Sequence, residues 1–340
     1  MKICLIGDAN SIHLRRWAGW FRDRGHEIQM ISLTPMNTPI DIYDKYVYVA
    51  KKQGLIGYTR TIFPIRRIVA DWQPDIVHGH YITSAGFYTS MSGAKAKVLF
   101  AWGSDIYRDY KKRLKSIAIR HAVEHSDVCM GDSDHIVNAV KEMCPGADVR
   151  KVLFGIDTEL FKPNPIPHDK FRFLSIRQTA KIYNQDVIVK AFEQANLDAE
   201  LWIFKPTIES QAVYDYVKSK PELDKKVVWL DVRPYEKMPE LFNSVDVGIS
   251  IPGSDSSSTA MMECMAMAVP VIASDIPQNH EWSDTVQAIT EIDADALCEA
   301  MKDAFSHPMI DTNARKKIVA DADWNTEMLK AEAIYEELVG

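Results

Sequence analysis

Residues 244–284, SVDVGISIPGSDSSSTAMMECMAMAVPVIASDIPQNHEWSD, decide the fold of this chain. Their apolar runs predict a buried strand over 247–251, a polar loop, a helix over 259–268 and a second strand over 269–273. This order is a strand–helix–strand unit, whose parallel strands bring both following loops to one edge of the sheet.

Polar residues gather where the predicted helix begins. Ser256, Ser257 and Ser258 stand beside backbone N–H groups that have no partner inside the helix, a setting that suits a phosphate. Asp255 and Glu263 are separated by roughly 12 Å at helical rise, about the span from a ribose to a sugar in a nucleotide sugar. The ordinary alternative is a buried strand–helix–strand unit in which these polar residues only cap the helix.

The same stretch resembles the donor-site motif of retaining glycosyltransferases of the family 4 type. In that motif an acidic residue is followed, after seven others, by Glu and then by an apolar run ending in Pro-Val-Ile-Ala-Ser. In this chain the acidic residue is Asp255, the Glu is Glu263, and residues 270–274 are the end of the apolar run. The family usually has Glu at the first position and Gly before the Pro, where this chain has Asp255 and Val269. The resemblance implies the GT-B fold: two Rossmann-like, doubly wound parallel-sheet α/β domains facing a cleft.

The resemblance also implies an activity. A sugar would pass from a nucleotide-diphosphate donor to an acceptor hydroxyl, with retention of configuration and no obligatory metal or cofactor. Surface polysaccharide or glycoconjugate synthesis would be the setting. Alternatives are an epimerase or hydrolase of nucleotide sugars with the same architecture, and a non-catalytic two-lobe sugar-binding protein. A nicotinamide-dependent dehydrogenase is disfavoured because no GxGxxG follows the first strand.

Length and composition limit the classes of protein to which this chain can belong. A chain of 340 residues suits two domains, and a net charge of −7 argues against a nucleic-acid-binding protein. The five cysteines are scattered without CxxC spacing and are expected to be reduced core thiols. The N-terminus lacks the features of a signal peptide, and no apolar run is long enough to span a bilayer. These observations favour a cytoplasmic protein.

Three regions are predicted along the chain. Residues 1–162 form an acceptor domain and residues 163–322 form a nucleotide-sugar donor domain. The proline-bearing segment 162–170, KPNPIPHDK, is expected to link them. Residues 323–340 are predicted to form a helix that crosses back to the first domain.

The first predicted strand, residues 3–7, leads into GDANSIHLRRWA, which resembles the opening of the same family. The resemblance places this loop in the cleft, with Asp8, Asn10, His13 and Arg16 as candidates for contacting the acceptor. The alternative for the arginines is a solvated helix face.

Two further strand ends carry candidate residues. His80 follows a strand predicted over 76–78, at the edge where open α/β sheets bind ligands, and resembles the family histidine that lies near the sugar. Its alternative is a hydrogen bond to nearby backbone. Trp102 and Asp105 belong to a WGSD segment after the strand predicted over 97–101. Asp105 would bind an acceptor hydroxyl or cap the next helix.

The donor diphosphate needs positive groups. The family usually supplies an Arg and, about five residues on, a Lys; the closest residues here are Arg177 and Lys181, each displaced by one or two positions. Glu281, after the last buried strand, matches a polar position near the sugar or phosphate. The resemblance implies that His80, Asp255 and Glu263 are the catalytic residues, with His80 and Asp255 at the sugar and Glu263 also in contact with the ribose.

Residues 108–120, RDYKKRLKSIAIR, predict a basic amphipathic helix. Such a helix can rest on an anionic membrane surface, so peripheral contact with the inner face of a membrane is one prediction. The alternative is an ordinary solvated helix face.

Overall fold

The computed structural model describes residues 1–50 and 54–340. It divides into unit 1, formed by Met1–Phe154 and Thr326–Gly340, and unit 2, formed by Gly155–Asn325. In each unit the described residues form one sheet of parallel strands with helices packed against it. The predicted α/β class with two doubly wound sheets is therefore confirmed.

Thirteen strands are found among the described residues: β1 (Lys2–Gly7), β2 (Glu27–Ser32), β3 (Lys45–Tyr48), β4 (Ile76–His80), β5 (Ala96–Ala101), β6 (Val128–Gly131), β7 (Val149–Lys151), β8 (Phe171–Ser175), β9 (Ala199–Phe204), β10 (Val227–Leu230), β11 (Val247–Ser250), β12 (Val271–Ser274) and β13 (Ala288–Thr290). The α-helices of the same residues are α1 (Ile12–Asp23), α2 (Gly54–Trp72), α3 (Phe87–Ser90), α4 (Arg113–Glu124), α5 (Asp134–Met143), α6 (Gln185–Ala195), α7 (Gln211–Lys218), α8 (Pro221–Asp224), α9 (Met238–Phe242), α10 (Thr259–Ala266), α11 (Ala294–Ser306), α12 (Thr312–Asp321) and α13 (Trp324–Val339).

The sheet of unit 1 has the strand order β3-β2-β1-β4-β5-β6-β7. β1 pairs with both β2 and β4, so the strand order reverses beside it. The loops that follow β1 and β4 therefore run to opposite faces of the sheet and leave a crevice between them. His80 is the last residue of β4, which brings it to this crevice.

The sheet of unit 2 repeats the arrangement, with the order β10-β9-β8-β11-β12-β13. Here the reversal lies between β8 and β11, which pair in parallel. The loops after these two strands carry Arg177 and Asp255. Because the reversal point is where open α/β sheets bind ligands, the topology alone marks these loops as the candidate site of unit 2.

The last helix, α13, packs within unit 1 through its second half. The Tyr335 ring stacks on Phe21 with centroids 5.0 Å apart, and the Trp17 indole N–H donates to the Tyr335 hydroxyl over 3.1 Å. Glu332, whose side chain is 8% exposed, accepts from Arg24 at 2.7 Å. Burial of these groups ties the end of the chain to unit 1.

Some predicted boundaries are wrong. The helix predicted over 108–120 is divided into a π-helical turn over Asp105–Asp109 and helix α4. The proline-bearing segment 162–170 belongs to unit 2, because the structural division falls after Phe154. Within the described ranges no helix is both long and apolar enough to cross a membrane.

Candidate functional site

Two loops of unit 2 place a guanidinium against a carboxylate. Arg177 follows β8 and Asp255 follows β11, and an Arg177 guanidinium nitrogen lies 3.0 Å from a carboxylate oxygen of Asp255. Both side chains are 15% exposed. Partial burial reduces solvent screening, so this pair is held more firmly than a surface ion pair.

The same guanidinium reaches the beginning of α10. Arg177 donates to the Ser258 hydroxyl over 2.6 Å, and Ser258 in turn caps the helix by accepting from the Met261 N–H. Ser257 is 4% exposed, and its buried hydroxyl has no hydrogen-bond partner among the described residues.

The structure shows which residue accompanies Arg177 in the loop where the Arg–Lys pair was predicted. The Tyr183 ring lies under the Arg177 guanidinium at 4.4 Å. Its hydroxyl accepts from Arg177 over 2.9 Å. Lys181 is exposed on the short helical turn Lys181–Tyr183 and takes no part in this network of the described residues. One positive group, Arg177, is therefore oriented at this point.

The acidic residues of the motif differ in environment. Burial raises the pKa of the Asp255 carboxyl above its usual range, while Arg177 and the Ser256 N–H act in the opposite direction. Glu263 lies on α10 and is 7% exposed. Glu281 is half-buried, and its backbone carbonyl accepts from the Lys317 ammonium.

Unit 1 holds a pocket of about 240 Å³ at its strand reversal. Its walls include Asp8, His80, Tyr81 and Trp102, so three of the predicted candidates line one cavity. The rings of His80 and Trp102 meet edge to face with centroids 6.0 Å apart. Sequence reasoning missed Tyr81, which adopts a left-handed φ of 82°, an unusual backbone conformation for a residue with a side chain.

His80 is buried, with 2% exposure, and neither ring nitrogen has a hydrogen-bond partner within residues 1–50 and 54–340. Burial lowers the pKa of its imidazole well below the usual value, and the nearby His78 and His13 add to the effect. His80 is therefore neutral at physiological pH and can both donate and accept a hydrogen bond. The alternative that it bonds to nearby backbone is not observed.

The remaining candidates of the first loop have structural partners. The Asn10 amide donates to the Pro35 carbonyl and to Asp8, and so ties two loops together. The His13 ring packs on Phe154 at 4.7 Å. Arg16 is half-buried on α1 and does not line the pocket.

The prediction that Asp105 binds an acceptor hydroxyl is not supported by its position. Asp105 has no exposed surface, and its carboxylate accepts from the N–H groups of Ile82 and Trp102 at 2.8 and 3.1 Å. Burial raises the pKa of Asp105 to about 6. Asp105 therefore holds the loops after β4 and β5, and the alternative that it caps the next helix is not observed, since that helical turn has no side-chain cap.

A metal site is not indicated by the geometry. Among the described residues no group of three or more His, Cys, Asp or Glu side chains is arranged to hold a metal ion.

Comparison with known proteins agrees with the geometry. The family described as "Glycosyl transferase 4-like" matches residues 2–133, and the family "Glycosyl transferases group 1" matches residues 156–322. Together they span both units. A search of curated proteins found no match.

Solved structures share the fold over nearly the whole chain. Sucrose-phosphate synthase from Thermosynechococcus elongatus has a TM-score of 0.85 at 14% identity, covering 99% of each chain. HepE of Anabaena in complex with UDP has a TM-score of 0.82 at 13% identity, covering 99% of this chain and 100% of that one. HepE has also been solved with UDP-glucose. WaaG, a glycosyltransferase involved in lipopolysaccharide biosynthesis, has a TM-score of 0.72 at 13% identity, covering 98% and 99%.

The fold and the two strand-reversal sites define a GT-B glycosyltransferase. The chain belongs to the glycosyltransferases of the family 4 type, with a 4-like region in residues 2–133 and a group 1 region in residues 156–322.

Proposed function

We propose that the protein transfers a hexose from a nucleotide-diphosphate sugar to an acceptor hydroxyl with retention of configuration. The observation that carries the donor assignment is the group formed by Arg177, Asp255 and Ser258 at the beginning of α10. Solved HepE complexes with UDP and UDP-glucose support a donor of this class.

The diphosphate is proposed to bind where α10 begins. The partial positive charge of a helix N-terminus favours an anion, and Arg177 adds a full charge beside it. When the glycosidic bond breaks, negative charge grows on the departing diphosphate, and these groups stabilise it without rearranging.

The acidic residues have separate proposed roles. Glu263 accepts hydrogen bonds from ribose hydroxyls, for which a carboxylate is suited. Asp255 holds the Arg177 guanidinium in place and orients the donor sugar. His80 in unit 1 contacts the reacting sugar, and Glu281 lies near the sugar or phosphate.

The test of the donor site is calorimetric titration with UDP and other nucleoside diphosphates. Glu263→Gln keeps the side-chain volume and should weaken nucleotide binding by about ten- to one-hundred-fold, because one charge-assisted hydrogen bond is worth about 1.5–3 kcal/mol. Glu299→Gln, on the exposed face of α11, is the matched control. Unchanged affinity in Glu263→Gln would contradict the assignment.

The reaction itself is followed by product analysis. Proton NMR of the first product should show the anomeric configuration of the donor. Release of free sugar without an acceptor, or an epimerised donor, would instead support the alternative enzyme class. The product expected is a glycoside of a surface polysaccharide or glycoconjugate, a role suggested by likeness to WaaG.

Peripheral contact with an anionic membrane is part of the proposal. Leu114 and Ile117 lie three positions apart on α4 and are 73% and 59% exposed, although their apolar side chains would ordinarily be buried. Lys111, Lys112 and Arg113 are exposed directly before them. Exposed apolar groups beside basic groups fit the interface of an anionic bilayer.

Flotation with vesicles of phosphatidylglycerol and phosphatidylcholine tests this contact. The wild type should float with anionic vesicles at low salt, and Leu114→Ser with Ile117→Ser should not. The control is Met309→Ser with Ile310→Ser, which removes two exposed apolar side chains of unit 2. Equal flotation of both double variants would remove the proposed contact surface.

A further inference from the structure

The Tyr183 side chain contacts the Arg177 guanidinium in two different ways. The guanidinium carbon lies 4.4 Å from the centroid of the Tyr183 ring, a cation–π contact. The Tyr183 hydroxyl also accepts from Nη2 of Arg177 over 2.9 Å. The ring face limits how far the guanidinium can tilt, and the hydrogen bond limits how far it can rotate. Together the two contacts determine which way the N–H groups of Arg177 face.

Tyr183 is itself held between two hydrogen bonds that join the loop after β8 to the loop after β11. On one side, the Gly253 N–H donates to the Ile182 carbonyl over 3.1 Å. On the other side, the side-chain amide of Asn184 donates to the Ile251 carbonyl over 2.8 Å. Because both neighbours of Tyr183 are bonded to the opposite loop, the ring is fixed by the protein's own contacts.

The contacts of Arg177 leave part of its guanidinium for a ligand. A guanidinium carries five N–H donors, of which Ser258 and Tyr183 accept from two. Asp255 lies beside Nη1 at 3.0 Å. The Arg177 Nε–H has no acceptor among the described residues, and this nitrogen is not one of the fully buried polar atoms. An anion can therefore reach a guanidinium whose orientation is already set.

Lys181 does not add a second positive group to these contacts. It is exposed on the short helical turn Lys181–Tyr183, and among the described residues its ammonium has no hydrogen bond or ion pair. A diphosphate at this loop would therefore meet one oriented guanidinium rather than two positive side chains. With a single cation, binding depends strongly on how well the planar fork of N–H donors is aimed at the phosphate oxygens.

We propose that Tyr183 is a positioning residue of the donor site, which aims the Arg177 guanidinium at the diphosphate and does not bind the nucleotide itself. The inference rests on the proposed transferase function and deepens it, because the function requires an arginine here but does not require a tyrosine. Since Tyr183 acts through Arg177, its loss should weaken binding of the diphosphate and leave binding of the nucleoside unchanged.

Titration calorimetry with UDP and saturation-transfer NMR with uridine separate these two parts of binding. Tyr183→Phe keeps the ring and removes the acceptor, so UDP should bind about three-fold more weakly. Tyr183→Leu also removes the ring, so the loss should reach about ten-fold. Uridine lacks the diphosphate and should bind both variants as it binds the wild type. An equal loss for UDP and uridine would indicate a structural role and overturn the proposal.

Tyr216→Phe and Tyr216→Leu are the matched controls. The Tyr216 ring also lies against a cation, the Lys220 ammonium, at 4.4 Å, and its hydroxyl also makes a hydrogen bond, to Glu193. Tyr216 lies on α7, outside the loops that follow β8 and β11. Both control variants should keep UDP affinity within about two-fold of the wild type. Losses as large as those of the Tyr183 variants would contradict a specific role for Tyr183.

Combination with Arg177→Lys tests whether Tyr183 acts through Arg177. In that background Tyr183→Leu should weaken UDP binding by less than about three-fold, because lysine has no planar fork to aim. A full ten-fold loss there, about the same as in the wild type, would show that Tyr183 contacts the nucleotide directly and would overturn the proposal. Tyr183→Lys adds charge but removes the ring and the hydroxyl, so tighter UDP binding by this variant would also overturn it.

The outcomes separate this inference from the proposed function. If another nucleoside diphosphate binds the wild type more tightly than UDP, it and its nucleoside replace UDP and uridine. Binding that is equally tight in the wild type and in Tyr183→Leu would overturn the inference and leave the function intact. Binding that depends on Tyr183, without sugar transfer from any donor, would overturn the function alone. If no nucleoside diphosphate binds the wild type, both fail.

Discussion

The guanidinium of Arg177 lies 3.0 Å from the carboxylate of Asp255, across the two strands where the sheet of unit 2 reverses its order. The two residues are far apart in sequence, and parallel pairing of β8 with β11 brings them together. The pair fixes one positive charge beside the beginning of α10. Its orientation, rather than its presence, is what a diphosphate would recognise.

Replacement of Arg177 by Lys should weaken nucleoside-diphosphate binding about ten-fold or more. Lysine keeps the charge but loses the planar fork that reaches Ser258 and Asp255 and that stacks on Tyr183. Titration calorimetry measures the change. The control is Arg172→Lys, because Arg172 also stacks on an aromatic ring, Trp202, but lies at the start of β8. A similar loss in both variants would show that the effect is structural.

The acid sensitivity of unit 1 should depend on His78. Burial lowers the pKa of His78 to about 3, whereas an unfolded histidine titrates near 6.5. Between these values the unfolded state binds more protons, so stability falls as the pH decreases. From pH 7 to 5.5 this one group should reduce the free energy of unfolding by about 1 kcal/mol. Asp105, whose pKa burial raises to about 6, acts in the opposite direction from about pH 7 to 4, and because it is present in both proteins the comparison with a His78 variant isolates the histidine.

The measurement compares melting temperatures at pH 7 and 5.5. His78→Asn should be less stable at pH 7 but should lose less stability on acidification than the wild type. His307→Asn, at an exposed site, is the control. An unchanged pH dependence in His78→Asn would contradict the assignment.

Tyr335→Phe should destabilise unit 1 by about 2 kcal/mol. The Tyr335 hydroxyl accepts from the Trp17 indole and contacts the His78 ring, so its loss leaves two buried polar groups without a partner. Calorimetry should show a lower transition for unit 1, with UDP affinity in unit 2 retained. Tyr214→Phe in unit 2 is the control, and an equal shift there would contradict the explanation.

Gln73→Gly should stabilise the protein slightly. Gln73 ends α2 with a left-handed φ of 50°, and its side chain is exposed. Glycine removes the ~1–2 kcal/mol strain of that conformation but increases the entropy of the unfolded chain by ~0.4–1 kcal/mol. A net gain near 0.5 kcal/mol should raise the melting temperature by ~1–2 °C. Gln73→Ala keeps the strain, so a gain in that variant as well would exclude this cause.

The sequence was most informative where residues act locally. Apolar runs located the strands on either side of α10, and Ser258 caps that helix directly before the predicted residue 259. Helices α3, α7, α8 and α12 were not predicted. Of these, α12 has a polar surface and little periodicity, with Ala314 and Ile318 as its buried residues, so its position depends on packing.

The loop that carries Arg177, Lys181 and Tyr183 shows why motif spacing alone does not predict which side chains meet. Arg177 and Lys181 were expected as a pair because they are the basic residues closest to the motif positions, but the left-handed Asn184 and the turn before it bring Tyr183 to Arg177 instead. Lys181 stays exposed on that turn. A tyrosine that stacks under an arginine leaves no short sequence signal, because the contact depends on how the loop closes.

The amino-acid sequence by itself determined two parallel-sheet units with polar residues at their strand ends. The reason is that the order of apolar and polar residues along the chain is enough to predict which segments are buried strands and where they end. Only the tertiary structure decided which polar groups are satisfied by the protein and which are not. Asp105 and Asn10 hold neighbouring loops, whereas His80 and Ser257 keep buried atoms without partners among the described residues. The physical reason is that a hydrogen bond needs its partner within about 3 Å, and distant segments supply that partner only after the sheet has formed.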